Sequence, residues 1–415
     1  MVMNRYLNRI TGIIPNTYKE IEIPLNGKNL IITGGNGSGK TSLLRELHRK
    51  TELFIVSKKM ADLPQIEQYL QQNKSALLQQ TKGTSSYENA LNAVIRYEKE
   101  LAQIKDGLQL DVPNYLDFSS KYAERIAVVK LFEASRMASI AHTDTVKSQA
   151  KAIQEAEQLI KQNHQSFGNR LEEHLVSLKT RESLAKTHDN DFALAEKIQK
   201  WFEHFEKNLK LLMEDDSAKL AFDSNAMKFS IQQKDKPAYT FQSLSSGYSS
   251  IFDIYADLLM RTEYFKVTPA ELGGIAFIDE IDAHLHVSLQ KIIFEFLTKS
   301  FPKVQFIVTT HSPFVLMSVS DAVIFDVSKI EVIDEDLSLY SYTAIIEGLL
   351  GVKTDSLNTK QLIAEINQII NADIKDYQRL KELVETLRPV KNKLDKRAEA
   401  FYLLAVNTLL DNEME

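Results

Sequence analysis

The 415-residue sequence contains no cysteine. Disulfides and thiolate metal centres are therefore excluded, which suits a reducing compartment. Tryptophan occurs once, and no internal repeat or low-complexity tract is present. Nor is there an apolar run long enough to span a bilayer, and residues 1–14 are too polar for a secretory leader. Positive charge is not in excess either. Lys and Arg number 50 against 56 Asp and Glu, a net charge of −6, so the whole chain is no polycation. Contact with nucleic acid would require a local basic patch, and that partner is left open. Together these absences lead us to expect a cytoplasmic protein with no membrane association. What is abundant is apolar side chain, 44% of residues, enough for a sizeable core. The length fits two or three domains, or one large domain with an insertion.

The chain is organised around Gly34-Gly35-Asn36-Gly37-Ser38-Gly39-Lys40-Thr41, which fits G-x-x-x-x-G-K-[ST]. Leu30, Ile31 and Ile32 read as a buried strand entering the loop. Ser42 to Lys50 read as a helix leaving it, with Leu43, Leu44 and Leu47 on one face. Glycines let backbone N–H groups close around phosphate oxygens, and the helix points its positive end at them. Lys40 is placed to reach the β- and γ-phosphates, and Thr41 to offer its hydroxyl to Mg²⁺. Gly34, Asn36, Gly37, Ser38, Gly39, Lys40, Thr41 and Ser42 are thus the expected ATP-binding set.

Upstream, residues 1–33 predict two or three strands. Leu53 to Val56 reads as a further strand, residues 59–112 as two solvated helices broken at Lys82-Gly83-Thr84-Ser85, and residues 113–120 as a loop. Ile126 to Phe132 is a β-branched run of strand type, followed by Glu133-Ala134-Ser135-Arg136. From about Thr143 to Met213 the pattern is helical. Ile198, Trp201, Phe202, Phe205, Leu209 and Leu212 form one apolar face, so Trp201 reads as a core anchor rather than a base-stacking platform. Strands are expected at 220–222, 227–231, 239–241, 274–278, 304–308 and 322–325. Residues 341–415 are helical in pattern.

The strand over 274–278 ends in Asp279-Glu280, and the carboxyl edge of such a strand is where a P-loop also lies. Asp279 is the expected second ligand of Mg²⁺ beside Thr41, and Glu280 the general base that activates water. His284 and His286 have no third ligand nearby and do not read as a metal site. The basic cluster Lys391, Lys393, Lys396 and Arg397 reads as a solvated helix face.

Leu244-Ser245-Ser246-Gly247-Tyr248, heading an apolar helix, resembles the signature of the ABC-type ATPases. Ser246 stands where that family usually has Gly, and Tyr248 where it usually has Gln. Such departures resemble heads of the SMC, RecF and OLD type. The resemblance implies an α/β fold, a mixed sheet with flanking helices forming an ABC-type head. That head would span 1–340, interrupted by a mainly helical insertion at about 59–218, with a helical C-terminal region at 341–415. It implies that Ser245, Ser246 and Gly247 close on a nucleotide held by another subunit. Asp282 would then be the D-loop aspartate and His311, catalytic alongside Glu280, the switch histidine. It also implies a Mg²⁺-contacting glutamine after the P-loop, for which Gln65 and Gln68 are candidates. Within the family, the sequence is most similar to stand-alone ATPases of bacterial antiphage systems, Septu-type and retron-associated. We therefore expect a homodimer or larger homo-oligomer joined through ATP sites, controlling a separately encoded protein effector such as a nuclease. No intrinsic nuclease is expected, because Asp334-Glu335-Asp336 lacks a surrounding βα pattern. The rivals are a DNA-repair or chromosome-maintenance ATPase of RecF or SMC type, and a nucleotide-dependent scaffold.

Overall fold

The computed structural model describes residues 6–414, apart from 137–139, 144–150, 152–153, 156–157, 159–165, 319, 334, 336, 350–356, 373 and 394–395. The chain forms two compact units, Met1–Tyr340 and Ser341–Glu415.

The first unit is built on a six-stranded mixed sheet. Its strands are β3 (Asn29–Thr33), β5 (Ala127–Phe132), β8 (Gly273–Ile278), β9 (Val304–Thr309), β10 (Ala322–Asp326) and β11 (Glu331–Ile333), in the order β11-β10-β3-β9-β8-β5. All neighbours are parallel except β10 and β11. Every residue of β3, β8 and β9 is buried, as continuous apolar runs in a parallel sheet require. A second sheet, β2-β1-β4, is antiparallel and uses β1 (Arg9–Ile13), β2 (Glu20–Pro24) and β4 (Gln109–Asp111). β6 (Lys219–Asp223) and β7 (Lys228–Gln232) form a hairpin.

Four helices precede β5: α1 (Lys40–Thr51), α2 (Lys59–Gln79), α3 (Ser85–Lys105) and α4 (Tyr115–Ala123). The longer described helices that follow it in the first unit are α5 (Leu171–Thr187), α6 (Phe192–Met213), α7 (Ser246–Phe265) and α8 (Val287–Ser300). The helical pair expected over 59–112 is α2 and α3, and Thr84 caps α3 by accepting from the Tyr87 N–H. On α6, Trp201 stacks on Phe205 with ring centroids 5.5 Å apart and donates from Nε1 to Glu263 at 2.8 Å. Trp201 therefore anchors packing, as its helix face required.

Three expectations are corrected. Residues 52–56 are not a strand: α1 runs on as one wide helical turn, Glu52–Val56, closed by the Ser57 N–H bonding the Glu52 carbonyl. The widened turn buries both Phe54 and Ile55. Residues 115–123 are helix rather than loop, and the helix buries Phe118 and Ser119. The span 59–218 is not one helical insertion, because β5 pairs with β8 along its whole length and β4 pairs with β1. Part of the helical stretch expected from Thr143 lies outside the described residues.

The second unit contains α9 (Leu357–Ile370), α10 (Tyr377–Leu387) and α11 (Lys396–Met414). They share a core of Ile366, Leu380, Leu383, Val384, Leu387, Tyr402 and Ala405. Lys391 is exposed there, while the side chains of Lys393, Lys396 and Arg397 lie outside the described set.

Candidate nucleotide site

β3 ends at Thr33 and the chain turns at Gly34, whose φ is +133°. A Cβ at that position would meet Ser328 Oγ at 2.8 Å and Asp326 Oδ1 at 3.1 Å, so only glycine fits. The neighbouring Gly35 N–H donates to Ser328 Oγ at 2.8 Å, and Asp326 in turn accepts from the Ser328 N–H at 2.8 Å. The end of β10 thus braces the loop. Asp326 and Ser328 were missed in the sequence, because nothing local to them signals a contact some 293 residues away.

Beyond the turn, Gly37 and Gly39 also have positive φ, and α1 begins at Lys40 with no acid in its first turn. Ser38 Oγ is buried with no hydrogen-bond partner. An orphaned hydroxyl, glycine amides and a bare helix N-terminus are the donor set that phosphate oxygens satisfy. Lys40 is buried, and its ammonium donates to the carbonyls of Gly34 and Gly35 at 3.0 and 2.9 Å. Burial holds its pKa below the usual lysine range, against the pull of Glu280, Asp279, Asp282 and Asp326.

β8 delivers the acids. Asp279 is 2% exposed, and its Oδ1 accepts from Thr41 Oγ1 at 3.1 Å and from Thr309 Oγ1 at 2.6 Å. Thr309 Oγ1 also accepts the Glu280 N–H at 2.7 Å. A single hydroxyl therefore links both acids to β9. Thr41 and Asp279 together offer hard oxygen donors of the kind Mg²⁺ takes. Asp282 accepts from Thr310 Oγ1, and the Ile281 N–H bonds the Thr309 carbonyl at 3.0 Å. His311 follows directly. Burial and the Lys40 charge lower its pKa, with Asp282 and Glu280 opposing, so it belongs to the same electrostatic neighbourhood.

Arg136 is a further residue that sequence reading passed over. It lies beyond the end of β5 and is 5% exposed. Its Nη1 donates to the carbonyls of Glu133 at 3.0 Å and Asp279 at 2.6 Å. Its Nη2 donates to those of Glu280 at 2.9 Å and Ile281 at 3.3 Å. Three residues before Arg136, Glu133 pairs with Arg45 at 2.6 Å. Gln65 and Gln68 lie on exposed faces of α2, with Gln65 bonded to the Tyr69 hydroxyl at 2.9 Å.

Ser245 is the N-cap of α7, and Ser245 and Ser246 are exposed. Gly247 is buried, and a Cβ there would meet the His284 carbonyl oxygen at 2.8 Å. The signature turn thus abuts the loop that follows the acids. Residues 281–284 of that loop form turns, with His284 at φ +65°, and His286 caps α8. Among the described residues, no cluster of three or more His, Asp or Glu forms a metal-binding set. Asp334 and Asp336 lie outside the described residues.

Comparison with known proteins follows this geometry. Residues 116–318 match the family described as AAA domain, putative AbiEii toxin, Type IV TA system. That stretch is just under half of the chain. The match takes in β5, the signature turn, both acids and His311, while the P-loop precedes it.

The chain is similar to the Retron Ec83 probable ATPase of Escherichia coli, 42% identical over 86 residues, covering 20% of this chain and 16% of that protein. It is similar to the Retron Vc95 probable ATPase of Vibrio cholerae, 29% identical over 161 residues, 35% of this chain and 31% of that one. The Septu protein PtuA of Bacillus mycoides is 42% identical over 81 residues, 19% of this chain and 11% of that protein. The matched segments thus span a third or less of these relatives. Among solved structures, a SmcHead bound to the C-winged helix domain of ScpA aligns with TM-score 0.38 and 12% identity, covering 79% of this chain and 97% of that one. Among the described residues, no helix is long and apolar enough to cross a membrane.

Proposed function

We propose that this domain binds Mg-ATP at Gly34–Ser42 and hydrolyses it, and that two chains share their ATP sites. We propose further that the chain controls a separately encoded effector, of nuclease type, in bacterial antiphage defence. The observation that carries the catalytic reading is the linkage Thr41–Asp279–Thr309–Glu280. It joins the P-loop hydroxyl, a buried carboxylate and, through the Thr309 hydroxyl, the backbone N–H of a strand-end glutamate by successive hydrogen bonds. Bound Mg²⁺ would neutralise charge on the β- and γ-phosphates, held by Thr41 and Asp279. Lys40 binds the same phosphates, its ammonium already desolvated. Glu280, next along the chain, takes the proton from water as it attacks. His311, biased toward its neutral form, orients at the γ-phosphate without adding charge.

The far side of the γ-phosphate needs donors as charge develops. The exposed hydroxyls of Ser245 and Ser246, at the N-terminus of a 20-residue helix, suit that role from a second chain. The defence setting rests on similarity to retron and Septu proteins over part of their length.

Mixing two inactive chains tests the shared site. Lys40→Ala removes the phosphate lysine. Ser246→Glu places a carboxylate at an exposed first-turn position, where it suits its own helix but repels phosphate. A mixed dimer has one site with both lesions and one with neither. Phosphate release should return on mixing. Proven mixed dimers without recovery would overturn the shared site, and a parent chain without turnover would overturn hydrolysis itself.

A further inference from the structure

Glu280 sits at φ +46°, a left-handed conformation that costs a non-glycine residue about 1–2 kcal/mol. Among the described residues, no hydrogen bond reaches its carboxylate. What aims the side chain is therefore the backbone beneath it, and that backbone is held from outside. The carbonyls of Asp279, Glu280 and Ile281, three in succession, converge on the guanidinium of Arg136 at 2.6, 2.9 and 3.3 Å. Such convergence of consecutive carbonyls is what a left-handed kink permits and an extended strand, with its alternating carbonyls, does not. Only arginine presents enough donors in a fixed plane to bind them while also reaching Glu133.

Arg136 Nε is buried and without a partner, so the guanidinium keeps one unused donor.

We propose that Arg136 is a positioning residue that holds Glu280 in its kinked conformation. The proposal rests on the hydrolytic reading above. Arg136 touches no nucleotide-binding residue of the P-loop, so its loss separates binding from turnover.

The test uses the full-length chain. Arg136→Met should leave calorimetric Mg-ATP affinity within about threefold of the parent and lower kcat about 100-fold, the scale of a misplaced catalytic group. Added guanidinium should restore part of that kcat by occupying the vacated site. Arg136→Lys, which keeps charge but loses the planar fork, should fall between the two. If Arg136→Met fails to fold by circular dichroism, Arg136→Lys carries the test. A folded variant with parental kcat overturns the proposal. So does one that loses affinity and turnover together and gains nothing from guanidinium. A parent chain without turnover would instead refute the hydrolytic reading, and this role with it.

Discussion

Replacing Thr309 by Val tests the linkage between the two acids most directly. The side chain is fully buried, and valine matches its shape while exchanging the hydroxyl for a methyl. The hydroxyl donates to the Asp279 carboxylate at 2.6 Å, a charge-assisted bond worth about 1.5–3 kcal/mol. It also accepts the Glu280 N–H at 2.7 Å, and stranding that donor costs about 1–3 kcal/mol. Because one group serves both bonds, the two losses overlap, and about 3 kcal/mol of destabilisation is expected. Thr309→Ser keeps both bonds and loses only a methyl, about 1 kcal/mol. The gap of about 2 kcal/mol between the variants isolates the hydroxyl from packing. Trp201 is the sole tryptophan and lies in the first unit, so its fluorescence in a urea titration follows that unit alone. Turnover should fall in Thr309→Val and survive in Thr309→Ser. Equal midpoints for the two variants, or a Thr309→Val loss under about 1 kcal/mol, would refute the reasoning.

Two further outcomes are expected. Lys50 is fully buried, and its ammonium bonds the carbonyls of Gln103, Ile104 and Asp106 at 2.9, 3.1 and 2.6 Å, closing the C-terminus of α3. Lys50→Met should cost about 3 kcal/mol by the same fluorescence titration, since the carbonyls are left unpaired, and a neutral result would contradict that capping role. His311 resists protonation in the fold, while the unfolded chain accepts a proton near pH 6.5. The unfolded state therefore binds more protons below that pH, and stability falls as pH drops through it. His311→Gln should show a shallower decline between pH 7 and pH 5; identical slopes would place the titration elsewhere.

How much of the site was legible depended on sequence distance. The P-loop could be read because strand, glycines, Lys40, Thr41 and helix are contiguous, and each residue type answers a local need. Asp279 and Glu280 could be read because a fully apolar strand has one functional end. The braces could not. Ser328 under Gly35, Thr309 under the acids and Arg136 across the acid loop are ordinary residues whose partners lie 293, 30 and 143 residues away. Two local readings failed for a related reason. The run Leu53 to Val56 has strand-like composition, yet burial of Phe54 and Ile55 kept it helical. Pro113 and Asn114 suggested a loop, yet burial of Phe118 made the next segment a helix.

By itself the sequence picked out the residues proposed to meet phosphate, Mg²⁺ and water, because those demands are written in short motifs with fixed chemistry. It also determined the apolar strands that had to stack in parallel. Only the tertiary structure decided that β5 enters the main sheet beside β8, carrying Arg136 to the acid loop. It alone decided that Gly247 is required by the His284 carbonyl as well as by its place in the signature. The physical reason is the same in each case. A hydrogen bond or a close approach between distant segments depends on how buried surfaces pack, and packing is a property of the whole core that no local stretch encodes.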